Sequence, residues 1–144
     1  MRKLLTIAIL AVALSTLSAH AEEVVDHKVV YHMNGPDVLY HKVFLRNIQN
    51  HLNALGPENM QAEVIMHGPG LDLLMHARQD EQIQASIDSL KTQGVAFKVC
   101  NNTLVGRNID LKRDLYDVQD SDIIPSGVAG LATRQLEGWA YIHP

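Results

Sequence analysis

The sequence predicts an α/β layer domain built on a mostly parallel sheet. Short apolar runs alternate with stretches whose apolar residues recur at helical spacing, and the connections between them are short. No internal repeat, low-complexity tract or long linker interrupts this alternation, so one domain is expected.

Lys28-Val29-Val30-Tyr31-His32 reads as the first strand; its apolar centre does not alternate strictly, which suits a strand covered on both faces. Phe44, Ile48, Leu52 and Leu55 then place one apolar stripe on a helix from about Pro36 to Leu55, which Gly56-Pro57 ends. A second strand is expected over Gln61 to Met66, followed by a tight turn at His67-Gly68-Pro69-Gly70 and a short helix from Leu71 to Ala77. Asp80 caps a longer helix whose buried stripe is Ile83, Ile87 and Leu90, closed by Gly94. Val95 to Cys100 forms the third strand, and Asn101 or Asn102 is positioned to cap a brief helix stopped near Gly106. Asp110 caps another turn or two. Asp122 to Pro125 gives a short fourth strand, Ser126 caps a last helix carrying Val128, Leu131, Ala132 and Leu136, and Ile142 belongs to an edge strand.

The N-terminus reads as a cleavable secretory signal over residues 1–21. Arg2 and Lys3 form a basic start, Leu4 to Leu17 is an uncharged apolar run, and Ala19-His20-Ala21 is a small-x-small cleavage site. The run is short for a membrane span, so no stable membrane insertion is expected. A mature domain over residues 22–144, placed in the periplasm, follows. Without Arg2 and Lys3, the 12 basic residues fall to 10 against 16 acidic ones, a formal charge of −6. That balance argues against nucleic acid as a partner.

Cys100 is the single cysteine. An exported chain with one cysteine has no internal disulfide, which leaves a buried inert side chain, a reactive thiol, a metal ligand or an intermolecular bond. Three strands end in chemically capable residues: His32, His67 and Cys100. In a parallel sheet these ends point the same way, toward the edge where α/β proteins bind ligands and where helix N-termini favour anions. A thiol just before a helix start has its nucleophilic fraction raised, and a histidine can exchange its proton. A strand-end cysteine packed as a small hydrophobe is the plain alternative. His32, His67 and Cys100 are also legitimate zinc or copper ligands, although no local metal spacing supports that. Asn34, Asn101 and Asn102 offer hydrogen bonds to a substrate, and Arg107 offers a charge to an anion. His67-Gly68-Pro69-Gly70 is too short for a dinucleotide fingerprint or a phosphate loop, and no cofactor is expected.

Lys28 to His32, Leu45 to Leu52, His67 to Leu71, Phe97 to Leu104, and Gly127 through Ile142 together resemble the DsrE/DsrF-like family, whose best-known branches are sulfur-relay subunits of the DsrEFH and Tus complexes. The resemblance implies a three-layer α/β/α sandwich with a mainly parallel five-stranded sheet, assembled as a homo-oligomer, often a trimer or hexamer. It also implies a strand-end cysteine that carries a persulfide and exchanges sulfur with a thiol-bearing donor or acceptor protein. Cys100 matches that position, and Arg107 resembles a basic residue shortly after it. Two departures stand out. Asn101-Asn102-Thr103 replaces the small, alanine-rich turn that follows the relay cysteine, and an exported chain does not fit the cytoplasmic role on tRNA.

Overall fold

The computed structural model describes residues 26–144; the segment read as a secretory signal lies outside the described residues. Five strands, β1 (His27–Met33), β2 (Met60–Met66), β3 (Ala96–Cys100), β4 (Ile123–Ile124) and β5 (Ala140–Ile142), pair in the order β4-β3-β2-β1-β5. Every pairing is parallel. Parallel neighbours need crossover segments, and six helices supply them: α1 (Val38–Leu55), α2 (Asp72–Ala77), α3 (Glu81–Thr92), α4 (Asn101–Gly106), α5 (Leu111–Asp114) and α6 (Gly127–Leu136). The result is the α/β/α arrangement expected of the sequence.

Period-two alternation splits the strands between two unequal cores. Val29, Tyr31 and Met33 of β1, with Val64 and Met66 of β2, join the stripes of α1, α2 and α3 in one large cluster. Tyr31 meets Phe44 edge-on at 6.1 Å between ring centres. The alternate residues, Val30 and Ile65, form a smaller cluster with Leu131 of α6, flanked by Ile124 and Trp139. Glu63 also lies in this alternate set and is only 4% exposed. A buried carboxylate is costly unless paired. Arg134 of α6 supplies the pair at 2.5 Å, bonds Glu137 at 2.7 Å, and lies 4.9 Å above the Trp139 ring.

Helix ends follow local chemistry, with some corrections to the sequence reading. Asp37 accepts the Tyr40 N–H at 2.8 Å, so α1 starts at Val38 rather than Pro36, and it stops where Gly56 takes φ 86° and donates to the Leu52 carbonyl at 2.8 Å. Asp80, Asp110 and Ser126 cap α3, α5 and α6 through their side chains, as the sequence indicates. Gly68–Leu71 forms a 3-10 turn ahead of α2, which therefore begins at Asp72. Neither Asn101 nor Asn102 caps α4: Cys100 holds the cap position, because β3 runs directly into the helix without a connecting residue. In α6 only Leu131 of the four apolar side chains is buried, while Val128 is 64% and Leu136 90% exposed. The α6 layer is one helix wide, and one stripe of it meets the sheet.

Candidate functional site

The register of the sheet brings the chemically capable residues together at the carboxyl ends of the strands. Met66 of β2 pairs with Val99 of β3, so the next residues, His67 and Cys100, stand side by side. Tyr31 of β1 pairs with Ile142 of β5, so His32 and His143 are the next neighbours along that pair. Alternation then selects a face. His32 follows Val30 and His67 follows Ile65 at intervals of two, which turns both toward the α6 side of the sheet. Gly127, the first residue of α6, sits against both remaining members. A Cβ there would lie 2.7 Å from the His67 Cβ and 3.3 Å from the Cys100 Cβ.

Cys100 is 4% exposed and free. Burial pushes its thiol up, because a thiolate loses hydration. Hydrogen bonding from the Thr103 hydroxyl and from the backbone N–H groups of Gly127, Thr103 and Asn102 outweighs that penalty, and the net effect holds the thiol below its ordinary value. Those N–H groups come from the first turns of α4 and α6, whose dipoles favour negative charge at the same point. The Thr103 hydroxyl is itself fixed, accepting the Gly68 N–H at 2.8 Å.

Beside the thiol runs a row of rings. The Nε2 atoms of His32 and His67 are 2.7 Å apart, with the rings meeting edge to edge, their planes inclined by 22° and their centres 4.7 Å apart. His32 Nδ1 meets the Tyr141 hydroxyl at 2.7 Å. The His143 ring lies 4.8 Å from His32, and its Nε2 is 3.1 Å from Asn34 Oδ1. Burial, then the neighbouring His67 and His143, push His32 down to about 4. Burial lowers His67 as well. Both rings are therefore neutral near pH 7, and the single hydrogen between their Nε2 atoms makes one a donor and the other an acceptor.

The DsrE/DsrF-like family model matches residues 10–144. The chain belongs to the DsrE/DsrF-like family. Among solved structures, it is similar to MTH1491 from Methanobacterium thermoautotrophicum, described as a protein of unknown function. The two share 33% identity at a TM-score of 0.70 over 83% of this chain and 100% of that one. It also resembles the ychN protein from E. coli in fold, at 18% identity and a TM-score of 0.62, over 82% of this chain and 99% of the other. No curated protein matches.

In this DsrE-family protein the residues singled out from sequence meet different fates. His32, His67 and Cys100 converge. Asn34 joins through His143 rather than by facing the thiol. Asn101 and Asn102 are exposed on α4, and it is the backbone N–H of Asn102 that reaches the sulfur. The Arg107 guanidinium is engaged within the protein, donating to the Gly68 carbonyl at 2.9 Å and to Asp72 at 2.6 Å; it braces the turn after His67. Among the described residues, no group of three or more His, Cys, Asp or Glu side chains is arranged to hold a metal ion.

Sequence reasoning missed Thr103, Gly127, Tyr141 and His143. Three of them carried a readable signal. Thr103 stands three residues after a strand-end cysteine, the distance at which a first-turn hydroxyl returns to the cap position. Tyr141 on the edge strand and His143 just past its end are two residues apart, the spacing that puts extended-chain side chains on one face.

Proposed function

We propose that this protein carries sulfane sulfur on Cys100 and passes it to a partner thiol. One observation carries the reading most: a buried thiol lowered by hydroxyl and backbone donors at the N-terminal ends of two helices. Such a site favours a thiolate and equally a persulfide anion. Family membership supports the same chemistry. Loading involves no net oxidation. The Cys100 thiolate attacks the outer sulfur of a persulfide or polysulfide donor, a new S–S bond forms, the donor's S–S bond breaks, and the donor leaves as a thiolate. An acceptor thiolate then attacks the outer sulfur of the Cys100 persulfide, releasing the Cys100 thiolate. His67 and His32 exchange the proton that the thiol gives up. Intact mass after incubation of the reduced protein with polysulfide is expected to show one added sulfur, removed by a small thiol and absent in Cys100→Ser. No adduct with either polysulfide or thiosulfate refutes the reading.

Export and assembly belong to the same proposal. The basic start, apolar run and Ala19-His20-Ala21 support cleavage before Glu22 and a periplasmic protein. Among the described residues, no helix is long and apolar enough to cross a membrane. Terminal sequencing of protein from a periplasmic fraction tests this, with Glu22 the expected first residue. Exposed Val128 and Leu136 support a homo-oligomer, for which the family resemblance suggests a trimer or hexamer, and a monomeric mass at micromolar concentration would count against it.

A second reading, a non-enzymatic small-ligand module, is favoured by a cavity of about 330 Å³ between α6 and the sheet, lined by Glu63, Ile65, Ile124, Ser126, Gly130 and Arg134. It expects Cys100→Ala to behave as wild type.

A further inference from the structure

The C-terminal strand contributes more to this site than an edge to the sheet. The Tyr141 hydroxyl, His32 and His67 form an unbroken hydrogen-bonded line, with contacts of 2.7 Å at His32 Nδ1 and 2.7 Å between the two Nε2 atoms. One end of that line stands beside the buried Cys100. At the other, Tyr141 is 43% exposed. We infer that Tyr141 is the outer member of a proton relay that carries the Cys100 proton through His67 and His32 to solvent. The inference relies on the sulfur-transfer reading for its use, but not for its geometry.

Each of the three groups in the line has one hydrogen to place, so the line has two complete arrangements. In the first, His67 Nε2–H donates to His32 Nε2, His32 Nδ1–H donates to the Tyr141 oxygen, and Tyr141 O–H donates to water. His67 Nδ1 then holds a free lone pair, the position the relay assigns to the thiol proton. In the second, Tyr141 O–H donates to His32 Nδ1, His32 Nε2–H donates to His67 Nε2, and His67 Nδ1 carries a hydrogen. Passing from the first to the second moves one proton in at His67 Nδ1 from the thiol and one out from the Tyr141 hydroxyl to water. Every group is neutral before and after. That suits rings whose burial disfavours the imidazolium, and the groups facing His32 are His67, His143 and Tyr141, with no carboxylate among them to hold a positive charge.

Tyr141→Phe removes one oxygen from the solvent end and leaves the thiol's own donors in place, which makes it the decisive variant. Its sulfur loading from polysulfide should slow about tenfold below the thiol pKa and regain the wild-type rate above it, where no proton remains to be moved. The thiol pKa itself should not change. Wild-type loading should show a solvent deuterium isotope effect that the variant alters. His32→Gln interrupts the line one member further in, and should reproduce the slowing. Nitrogen NMR of the histidine rings supplies a readout independent of sulfur. His32 and His67 should each show a single neutral tautomer in the wild type, with the His32 tautomer redistributed in Tyr141→Phe. Unchanged tautomers together with wild-type loading at every pH would overturn the relay. If the wild type loads no sulfur at all, the carrier reading fails, while the ring signals still decide whether Tyr141 orders the two histidines.

Discussion

Adding a single methyl group at Gly127 perturbs the junction on which the site depends. An alanine Cβ there would lie 2.7 Å from the His67 Cβ, 3.2 Å from its Cγ and 3.3 Å from the Cys100 Cβ. Two of these neighbours are Cβ atoms, fixed to strand-end backbone, so no rotamer change relieves the contact. The first turn of α6 must move outward. Overpacking of this kind costs about 1–3 kcal/mol. Alanine's better helix propensity returns at most about 1 kcal/mol, and less in a first turn. A net loss of about 1–2 kcal/mol lowers the urea midpoint by roughly 0.5–1 M. The same displacement withdraws the Gly127 N–H from the sulfur, so the Cys100 pKa rises and alkylation slows at fixed neutral pH. Gly130→Ala is the control on the same helix. Its Cβ would meet only the Cδ1 ends of Ile124 and Ile65, at 2.8 and 3.2 Å, which can swing aside. It should be close to neutral in stability and leave the thiol unchanged. Urea denaturation and alkylation rates measure both variants. Wild-type stability together with a wild-type thiol in Gly127→Ala would refute the reasoning.

Other substitutions and conditions test neighbouring parts of the account. Thr103→Val deletes the hydroxyl that steadies the thiolate and accepts the Gly68 N–H; it should raise the Cys100 pKa, read from alkylation rate against pH, and cost about 1–3 kcal/mol in urea denaturation. Arg134→Met leaves the Glu63 carboxylate buried without its partner, and should cost about 2–4 kcal/mol, whereas adding Glu63→Gln should recover part of that loss. Acid should destabilise the fold through neutral histidines. His32 is held down to about 4, and burial lowers fully enclosed His41 despite its bond to the Gly35 carbonyl at 2.7 Å. The unfolded chain takes up protons near the ordinary histidine value while the folded chain does not, so this stability is complete above about pH 6.5 and declines toward pH 4. For part-exposed His32, solvent screening leaves about 1–2 kcal/mol of it. A urea midpoint that stays flat between about pH 7.5 and pH 5 would contradict the assignment.

Most of the fold was legible because its signals are local. The stripe Phe44, Ile48 and Leu52 declares α1, the apolar run ending at Cys100 declares β3, and Asp80 and Ser126 announce their helices. The convergence of His32, His67 and Cys100 at one edge followed from parallel strands alone. Other parts depended on register. That His67 and Cys100 stand side by side requires the pairing of Met66 with Val99, and that Tyr141 reaches His32 requires β5 to add beside β1 rather than at the far edge. Residues 109 positions apart in sequence carry no local trace of such a contact. Burial on α6 was equally hidden. Val128 and Leu136 fit an apolar helix, but only the backbone path decides which stripe meets the sheet. Arg107 resembled an anion-binding charge until the fold placed Asp72 and the Gly68 carbonyl within its reach.

The most direct test of the central claim is the rate of Cys100 alkylation by a small neutral reagent in the folded wild-type protein, measured across pH. Thr103 and the N–H groups around the sulfur predict a single titration with its midpoint below that of a free cysteine, about 8.5. The midpoint should move upward in Thr103→Val. A midpoint at or above the free value, unmoved by that substitution, would mean that burial governs Cys100 and that the site is not built to hold a sulfur anion.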